Sequence, residues 1–245
     1  MCRLDIRAHR CGAAVLATVL VVVCSIRAQQ FSRPASSHVD SATPSHQLIF
    51  SNKELKAFRV QLPARTSTSR GDHAHDCLFI ALRGGNLEVV SGQGRYALEM
   101  KDGEMQVIKG AAAHRVVNRS DSAADLLEIE VLRDIAPDRA ACGLAAANCG
   151  EVRFGNSGGG PYSQTALFET PTVKLLRAEL GPGGILPSHA HRQGHLLIAL
   201  TALRLESEGI ELKDEAGGIW WYAGGLSKLS NLEQRESQFL ILEFK

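Results

Sequence analysis

Short apolar runs separated by polar and turn-forming residues make up most of this chain from residue 47 onward. Each run is four to eight residues long, and Gly, Pro, Asn or Asp lies between one run and the next. These lengths are typical of strands and too short for most helices. The pattern therefore predicts an all-β protein, with strands that include LEVV (87–90), MQVI (105–108), LLEIEVL (126–132), VKLLRAEL (173–180), HLLIAL (195–200) and FLILEF (239–244).

Residues 1–28 have the layout of a secretory signal peptide. Three arginines precede an apolar stretch of 14 residues from Cys11 to Cys24, and Ala28 is a small residue at a suitable cleavage position. A membrane anchor is the main alternative, but a span needs about 20 apolar residues. A lipoprotein signal ending at Cys24 is a third option, which Val23 disfavours. We expect a secreted or periplasmic protein with no membrane contact after cleavage.

Two polar stretches divide the remaining chain. Residues 29–46 show no periodicity and are predicted to be a disordered linker. Residues 134–162 contain Pro137 and a glycine run, and they interrupt the strand pattern, which indicates an inter-domain linker. The predicted domains are therefore 47–133 and 163–245.

The net charge and the cysteines give expectations about partners and disulfides. The formal net charge is +1, and removal of residues 1–28, with four Arg and one Asp, lowers it to −2. No nucleic-acid partner is expected from this balance. Cys77, Cys142 and Cys149 remain after cleavage. In an oxidising compartment we expect a Cys142–Cys149 disulfide and an odd thiol at Cys77, the alternative being three free thiols.

An internal repeat is the strongest feature of the sequence. His73-Ala-His75 recurs 116 residues later as His189-Ala-His191. The apolar run CLFIAL follows the first copy and HLLIAL follows the second, which places Cys77 opposite His195. A repeat of this length is too long for a solenoid unit and indicates a duplicated domain.

The repeated histidines predict metal binding. Residues i, i+2 and i+4 of a strand share one face, and imidazole is a common ligand of transition metals. Another strand must then supply a further ligand, for which His114 is the candidate in the first half. The candidate ligands are His73, His75, Cys77 and His114 in the first half, and His189, His191 and His195 in the second.

These motifs resemble those of the cupin superfamily, whose members are jelly-roll barrels with a metal inside. Gly103, His114 and Asn118 match the family's second motif, and His73 and His75 match its first motif except for the missing glutamate. In the second half Gly183, His189 and His191 match the first motif, with His195 in the glutamate position. The second motif there keeps Asn231, while Ser227 and the adjacent Lys228 stand at the histidine position.

The resemblance implies two tandem cupin jelly-roll barrels, a bicupin, with a divalent transition metal (Fe, Mn, Ni, Cu or Zn) in one or both. It also implies a small-molecule ligand or substrate, with dioxygenase or decarboxylase chemistry on a small oxygen-rich compound. The family's general base is missing from both halves, so the catalytic residues are unknown. The alternatives are a binding bicupin without turnover and barrels that hold nothing. The outer residues Leu78 and Ile80 could be covered by the other barrel or by a second chain, which leaves a homo-oligomer open.

Overall fold

A computed structural model describes residues 43–92, 94–109, 113–135, 160–188, 193–224 and 228–245, and the backbone of 29–30 and 152–157. Every regular element in these ranges is a strand, as the short apolar runs predict. The strands are β1 (Gln29–Gln30), β2 (Ser45–Ser51), β3 (Leu55–Leu62), β4 (Cys77–Arg83), β5 (Gly85–Ser91), β6 (Gly94–Met100), β7 (Met105–Ile108), β8 (His114–Asn118), β9 (Ala124–Val131), β10 (Val152–Ser157), β11 (Gly160–Glu169), β12 (Val173–Leu180), β13 (Ile185–Leu186), β14 (His195–Ala199), β15 (Leu203–Ser207), β16 (Ile210–Asp214), β17 (Ile219–Tyr222), β18 (Leu229–Asn231) and β19 (Ser237–Phe244).

The strands form two barrels, one after the other along the chain. In the first barrel a five-stranded sheet, β2-β3-β9-β4-β7, faces a three-stranded sheet, β6-β5-β8. In the second, a seven-stranded sheet, β1-β17-β14-β19-β12-β11-β10, faces a four-stranded sheet, β13-β18-β15-β16. The part of the chain that the structure describes contains no helix long and apolar enough to span a membrane.

The strand registers confirm the duplication. In the first barrel Cys77 lies between Ile108 and Glu130 on the neighbouring strands. In the second barrel His195 lies in the same way between Tyr222 and Glu243. The alignment of Cys77 with His195 is therefore also an equivalence of position in the sheet.

Each barrel contains one asparagine whose side chain hydrogen-bonds to three backbone carbonyls in the same way. The Asn118 side-chain amide donates to the carbonyls of Leu62, Pro63 and Ser122 at 2.8–3.2 Å. Asn231 donates to Leu180, Gly181 and Arg235 at 2.8–3.0 Å. The asparagine of the second motif is thus structural in both halves, because it satisfies backbone carbonyls where the chain leaves one strand for another.

The apolar faces left outside the two barrels pack against each other. Along β4, Phe79 and Ala81 point into the first barrel, while Leu78 and Ile80 point outward into a second cluster. That cluster also contains Leu196 and Ile198 from the second barrel. The second barrel therefore covers the outer face that the sequence left unassigned.

Two arginines at equivalent positions connect the barrels reciprocally. Arg59 of the first barrel donates to the Ala216 carbonyl of the second at 3.1 Å. Arg177 of the second barrel donates to the Gly103 carbonyl of the first. The barrels thus meet through a pseudo-twofold interface with an apolar centre.

The strands extend into both predicted linkers. Gln29–Gln30 pairs with β17 of the second barrel, although 29–46 was expected to be disordered, and β2 already begins at Ser45. Val152–Ser157 and the start of β11 lie inside the expected 134–162 linker and extend the seven-stranded sheet. Cys142 and Cys149 lie outside the described residues.

Candidate metal centre

Two imidazoles and one carboxylate meet inside the first barrel. His46, His73 and Glu128 each place a possible ligand atom within 4.8 Å of the others. His46 Nε2 lies 3.1 Å from one Glu128 oxygen, and His73 Nε2 lies 3.3 Å from the other. This is the one such group of three or more ligands among the described residues.

A third imidazole contacts the same carboxylate. His114 Nε2 lies 3.1 Å from Glu128 Oε1, and the rings of His73 and His114 are 4.9 Å apart. Phe58 meets the His73 ring edge-on at 5.0 Å, and Phe79 lies 5.9 Å from the His114 ring. Phenyl rings thus pack against two of the imidazoles.

The four side chains of the cluster come from four different segments of the chain. Glu128 lies in β9, where alternate residues face the barrel interior, and His114 is the first residue of β8. His46 comes from β2 at the sheet edge, and His73 from the segment before β4. Sheet pairing fixes three of these backbones. The fourth is held by the reciprocal Gly71–His114 hydrogen bonds at 2.8 and 3.0 Å.

The buried carboxylate is held in its charged form. Burial is the largest influence on the pKa of Glu128 and raises it, but contacts with His114 and His46 and the nearby His73 outweigh burial. The pKa of Glu128 falls to about 2 as a result. Burial lowers the pKa of His73 below 6.5, with Glu128 acting in the opposite direction. At neutral pH the cluster combines an ionised carboxylate with a neutral imidazole, which are the ligand forms that metals require.

Glu130 forms a second layer around the cluster. It accepts from the Ala74 amide at 2.9 Å, and Lys56 Nζ and His75 Nδ1 lie 3.2 and 3.3 Å from its oxygens. Its Oε2 is also 3.7 Å from His73 Nδ1, the ring atom opposite the one that faces Glu128. A carboxylate at that atom orients a ligating imidazole and raises its basicity.

Gly71 leaves room for the imidazoles. A Cβ built on this residue would lie 2.9 Å from His73 Nε2 and 3.2 Å from His46 Cε1. Any side chain here would displace a candidate ligand. The glycine is therefore required by the cluster and not by a turn.

The sequence-predicted ligands of the first half separate into two groups. His73 and His114 are buried and meet at Glu128. His75 is half-exposed and turns to Glu130, because strand β4 begins only at Cys77 and the chain bends at residue 75. The shared strand face expected for 73, 75 and 77 is therefore absent. Cys77 packs in the barrel core, with Sγ 3.6 Å from the His75 carbonyl, and burial raises the pKa of its thiol.

Sequence reasoning missed His46 and Glu128. Residues 45–46 fell inside the predicted linker, so His46 carried no signal. Glu128 and Glu130 do carry one, since two glutamates alternate with leucine and isoleucine in the buried strand β9. Charged residues are rarely buried without partners, so alternating acids in an apolar strand indicate a polar interior.

The second barrel lacks the equivalent carboxylate. Ile241 occupies the register position of Glu128, and Gln164 that of His46. His195 is buried, with its ring stacked on Tyr222 at 4.8 Å. His189, His191 and Ser227 lie outside the described residues, and Lys228 is exposed. The described residues of this barrel thus bring only His195 of its three predicted ligands into the interior.

The first-barrel cluster fits a divalent transition metal. His73 Nε2 and Glu128 Oε1 are buried, and their contact is not aligned as a hydrogen bond, so both atoms are available to an ion. Imidazole nitrogens with one carboxylate oxygen are donors that suit iron, zinc, copper or nickel. His46, His73 and Glu128 would hold the ion, with His114 in reach of the same carboxylate.

Comparison with known proteins identifies the fold. No protein-family model matches the sequence, and no curated protein is significantly similar to it. Among solved structures, AerE from Microcystis aeruginosa is 12% identical, with a TM-score of 0.56 over 82% of this chain and 98% of AerE. A cupin 2 conserved barrel domain protein from Leptotrichia buccalis is 11% identical, with a TM-score of 0.50 over 83% and 90%.

Salicylate 1,2-dioxygenase from Pseudaminobacter salicylatoxidans is also similar, at 11% identity and a TM-score of 0.54 over 78% of this chain and 71% of the dioxygenase. At these identities the likeness establishes the fold. This chain has the cupin fold, in two tandem barrels, as its motifs predict.

Proposed function

We propose that this protein is a metal-dependent cupin whose first barrel binds one divalent transition metal and oxidises a small oxygen-rich organic substrate with dioxygen. The observation that carries the proposal is the buried Glu128 carboxylate with imidazoles at 3.1–3.3 Å. The Glu128 carboxylate is buried and charged, and a bound cation would neutralise it. The second barrel, without that carboxylate, supports the first structurally.

Iron(II) is the ion that we propose. Two histidines and one carboxylate with open positions are the donor set of non-haem iron(II) oxygenases. Cys77 does not add a soft thiolate, since its sulfur packs in the barrel core and burial keeps the thiol protonated. When bound, the ion would supply Lewis-acid and one-electron chemistry with dioxygen.

The chain's own residues hold and shield this site. Glu130 Oε2 lies 3.7 Å from His73 Nδ1, and Phe58 and Phe79 pack against the imidazole rings of the buried cluster. Exclusion of water strengthens electrostatic interactions inside the barrel. His75 lies on the accessible side with Nδ1 3.3 Å from Glu130, where it can exchange protons with a substrate hydroxyl.

Metal or ligand binding without turnover is the second candidate function. The loss of the glutamate position in both first motifs and the isoleucine at position 241 favour it. The two candidates share the metal and differ only in reaction with dioxygen.

Oxygen uptake by the iron-loaded full chain tests the proposal. A panel of catechol, flavonol, oxalate, salicylate and gentisate would be screened with an oxygen electrode. We expect uptake with at least one compound, abolished in Glu128→Gln and unchanged in Glu99→Gln, which alters an exposed glutamate of β6. Bound metal without uptake across a wider panel would favour the binding function, and absence of bound metal would exclude both.

We also propose that the protein acts after export and cleavage behind Ala28. The basic and apolar segments of residues 1–28 support this location. Intact-mass spectrometry of the protein recovered from its own cells should give a chain that begins at Gln29. A chain that keeps residues 1–28 would contradict it.

A further inference from the structure

We propose that the mouth of the first barrel binds a small organic anion with an apolar body, and that Lys56 and Phe58 recognise its two parts. The mouth is defined here as Leu48, Lys56, Phe58, His75 and Ile108. This inference rests on the metal site proposed above and names the class of compound that reaches it.

Side-chain exposure shows where the cluster opens to solvent. Glu128 and His73 are 1% and 3% exposed, whereas His46 is 14% exposed, so the cluster meets solvent at His46. Lys56 and His75 are both 41% exposed, and both contact Glu130, which lies directly behind His73. These two side chains therefore lie at a solvent-exposed edge of the cluster.

The walls of the mouth combine apolar surface with one cation. Leu48 pairs in register with Phe58, so both side chains lie on the inner face of the sheet, and Leu48 is 50% exposed. Lys56 pairs with Glu130 on the same face. The phenyl ring of Phe58 reaches the His46 and His73 rings at 4.8 and 5.0 Å. An exposed leucine and an aromatic ring beside an ammonium group suit a ligand with an apolar body and a negative end.

The net charge of the metal-loaded cluster also favours an anionic ligand. Glu128 and Glu130 contribute two negative charges and Lys56 one positive charge, so the metal-free cluster carries −1. A divalent ion would change this count to +1. A net charge beside buried groups is unfavourable, and one negative charge from a ligand removes it. Anion binding should therefore depend on the metal as well as on Lys56.

Calorimetric titration of the full chain tests this inference with three small probes. Benzoate carries both recognised parts, benzamide lacks the charge, and acetate lacks the apolar body. With one equivalent of iron(II) or zinc(II) bound, we expect benzoate to bind at least about tenfold more tightly than either of the others, because a charge-assisted contact is lost in benzamide. Metal-free protein should bind benzoate at least about tenfold more weakly than loaded protein.

Variants of Lys56 show whether its side chain binds the anion or only stabilises the fold. Lys56→Met should weaken benzoate binding about tenfold, while Lys56→Arg should restore most of it. Lys174→Met is the matched control, because Lys174 holds the same register position in the second barrel, opposite Glu243. Metal content would be measured in every variant, so that loss of the metal is distinguished from loss of anion binding.

Three results would overturn the inference while the metal site stands. These are equal affinities for benzoate and benzamide in loaded protein, an unchanged benzoate affinity in Lys56→Met with its metal retained, and equal binding to metal-free protein. Failure of the wild-type chain to bind any metal would instead remove the proposed function.

Discussion

At the scale of single residues, the site depends on side chains that are far apart in sequence and on one residue without a side chain. Glu128 contacts three imidazoles, from residues 46, 73 and 114, and lies almost wholly out of solvent. Gly71 leaves the space that two of those rings occupy. The arrangement therefore needs both the ligating side chains and a glycine at position 71.

Gly71→Ala should weaken metal binding. The added methyl group would lie 2.9 Å from His73 Nε2, which is closer than carbon and nitrogen atoms pack, so the ring must move from its position beside Glu128. A ligand displaced in this way should reduce metal affinity at least about tenfold, as second-layer changes commonly do. A competition titration with a chromophoric chelator measures the affinity.

Gly92→Ala is the control for that substitution. A Cβ at Gly92 would meet only Arg70 Nη2 at 3.8 Å, an ordinary contact, so affinity should not change. Equal affinities of the Gly71 and Gly92 variants would show that the imidazoles do not need the space at Gly71.

Acidification should destabilise the metal-free protein. The folded pKa of His73 lies below 6.5, so the unfolded chain binds its proton first as pH falls through 6.5, and unfolding becomes easier. Glu128, with a folded pKa of about 2 against 4.5, adds a second loss as pH falls below 4.5. Urea unfolding with a chelator present, at pH 7.5 and pH 5.5, measures the first of these.

The contribution of His73 is isolated by the variant His73→Gln, which cannot titrate. Its free energy of unfolding should fall less between pH 7.5 and 5.5 than that of the wild type. A wild type that loses no more stability than the variant over this interval would contradict the low pKa of His73.

At the scale of elements, β9 joins the site to the rest of the molecule. Its inner face carries Glu128 and Glu130, and its outer face places Leu127 and Ile129 in the apolar cluster between the barrels. Beside it, Arg59 of β3 donates from Nε to Asp125 at 2.6 Å and from Nη1 to the second barrel at 3.1 Å. Strand β9, which carries the carboxylate ligand, thus contacts the site with its inner face and the inter-barrel cluster with its outer face.

Arg59→Met should destabilise the protein by about 3 kcal/mol, because it leaves the buried Asp125 carboxylate without its partner. Arg65→Met is the matched control, since the Arg65–Asp121 pair is exposed on both sides and should cost less than about 1 kcal/mol. Urea unfolding of the three proteins gives the differences. Equal losses in the two variants would mean that the interface pair contributes no more than a surface pair.

The elements follow from sequence more readily than the site does. The short apolar runs between turn-forming residues predict the strands, and the repeat of His73-Ala-His75 predicts two equivalent barrels. The ligand set could be predicted only in part. His75 has the sequence pattern of a ligand, but a bend places it beside Glu130. Glu128 becomes a ligand only through strand pairing, in which its register partners lie 49 and 70 residues away. Such long-range proximity is a property of the sheet and leaves no local signal.

At the scale of the whole molecule, the second barrel covers the first and carries no equivalent of Glu128. The cluster between the barrels draws buried residues from both, including Phe50 and Leu78 from the first and Leu175 and Phe244 from the second. An interface of this apolar character belongs to a single cooperative unit. Neither barrel is expected to be stable with this face in water.

We therefore expect both barrels to unfold in one transition. Trp220 and Trp221, the only tryptophans of the chain, lie in the second barrel, and Trp221 stacks on Phe50 of the first at 6.2 Å, so their fluorescence reports on the second barrel and on the interface. Far-ultraviolet circular dichroism reports on both barrels. The two urea curves should coincide. Separate midpoints would show that the barrels fold independently.

Metal stoichiometry of the untagged full chain tests the central claim most directly, in the wild type and in two variants two residues apart. We predict one equivalent of a divalent transition metal in the wild type, loss of that metal in His73→Ala, and its retention in His75→Ala, because only His73 faces Glu128. Retention in His73→Ala, or equal loss in both variants, would contradict the metal centre described here.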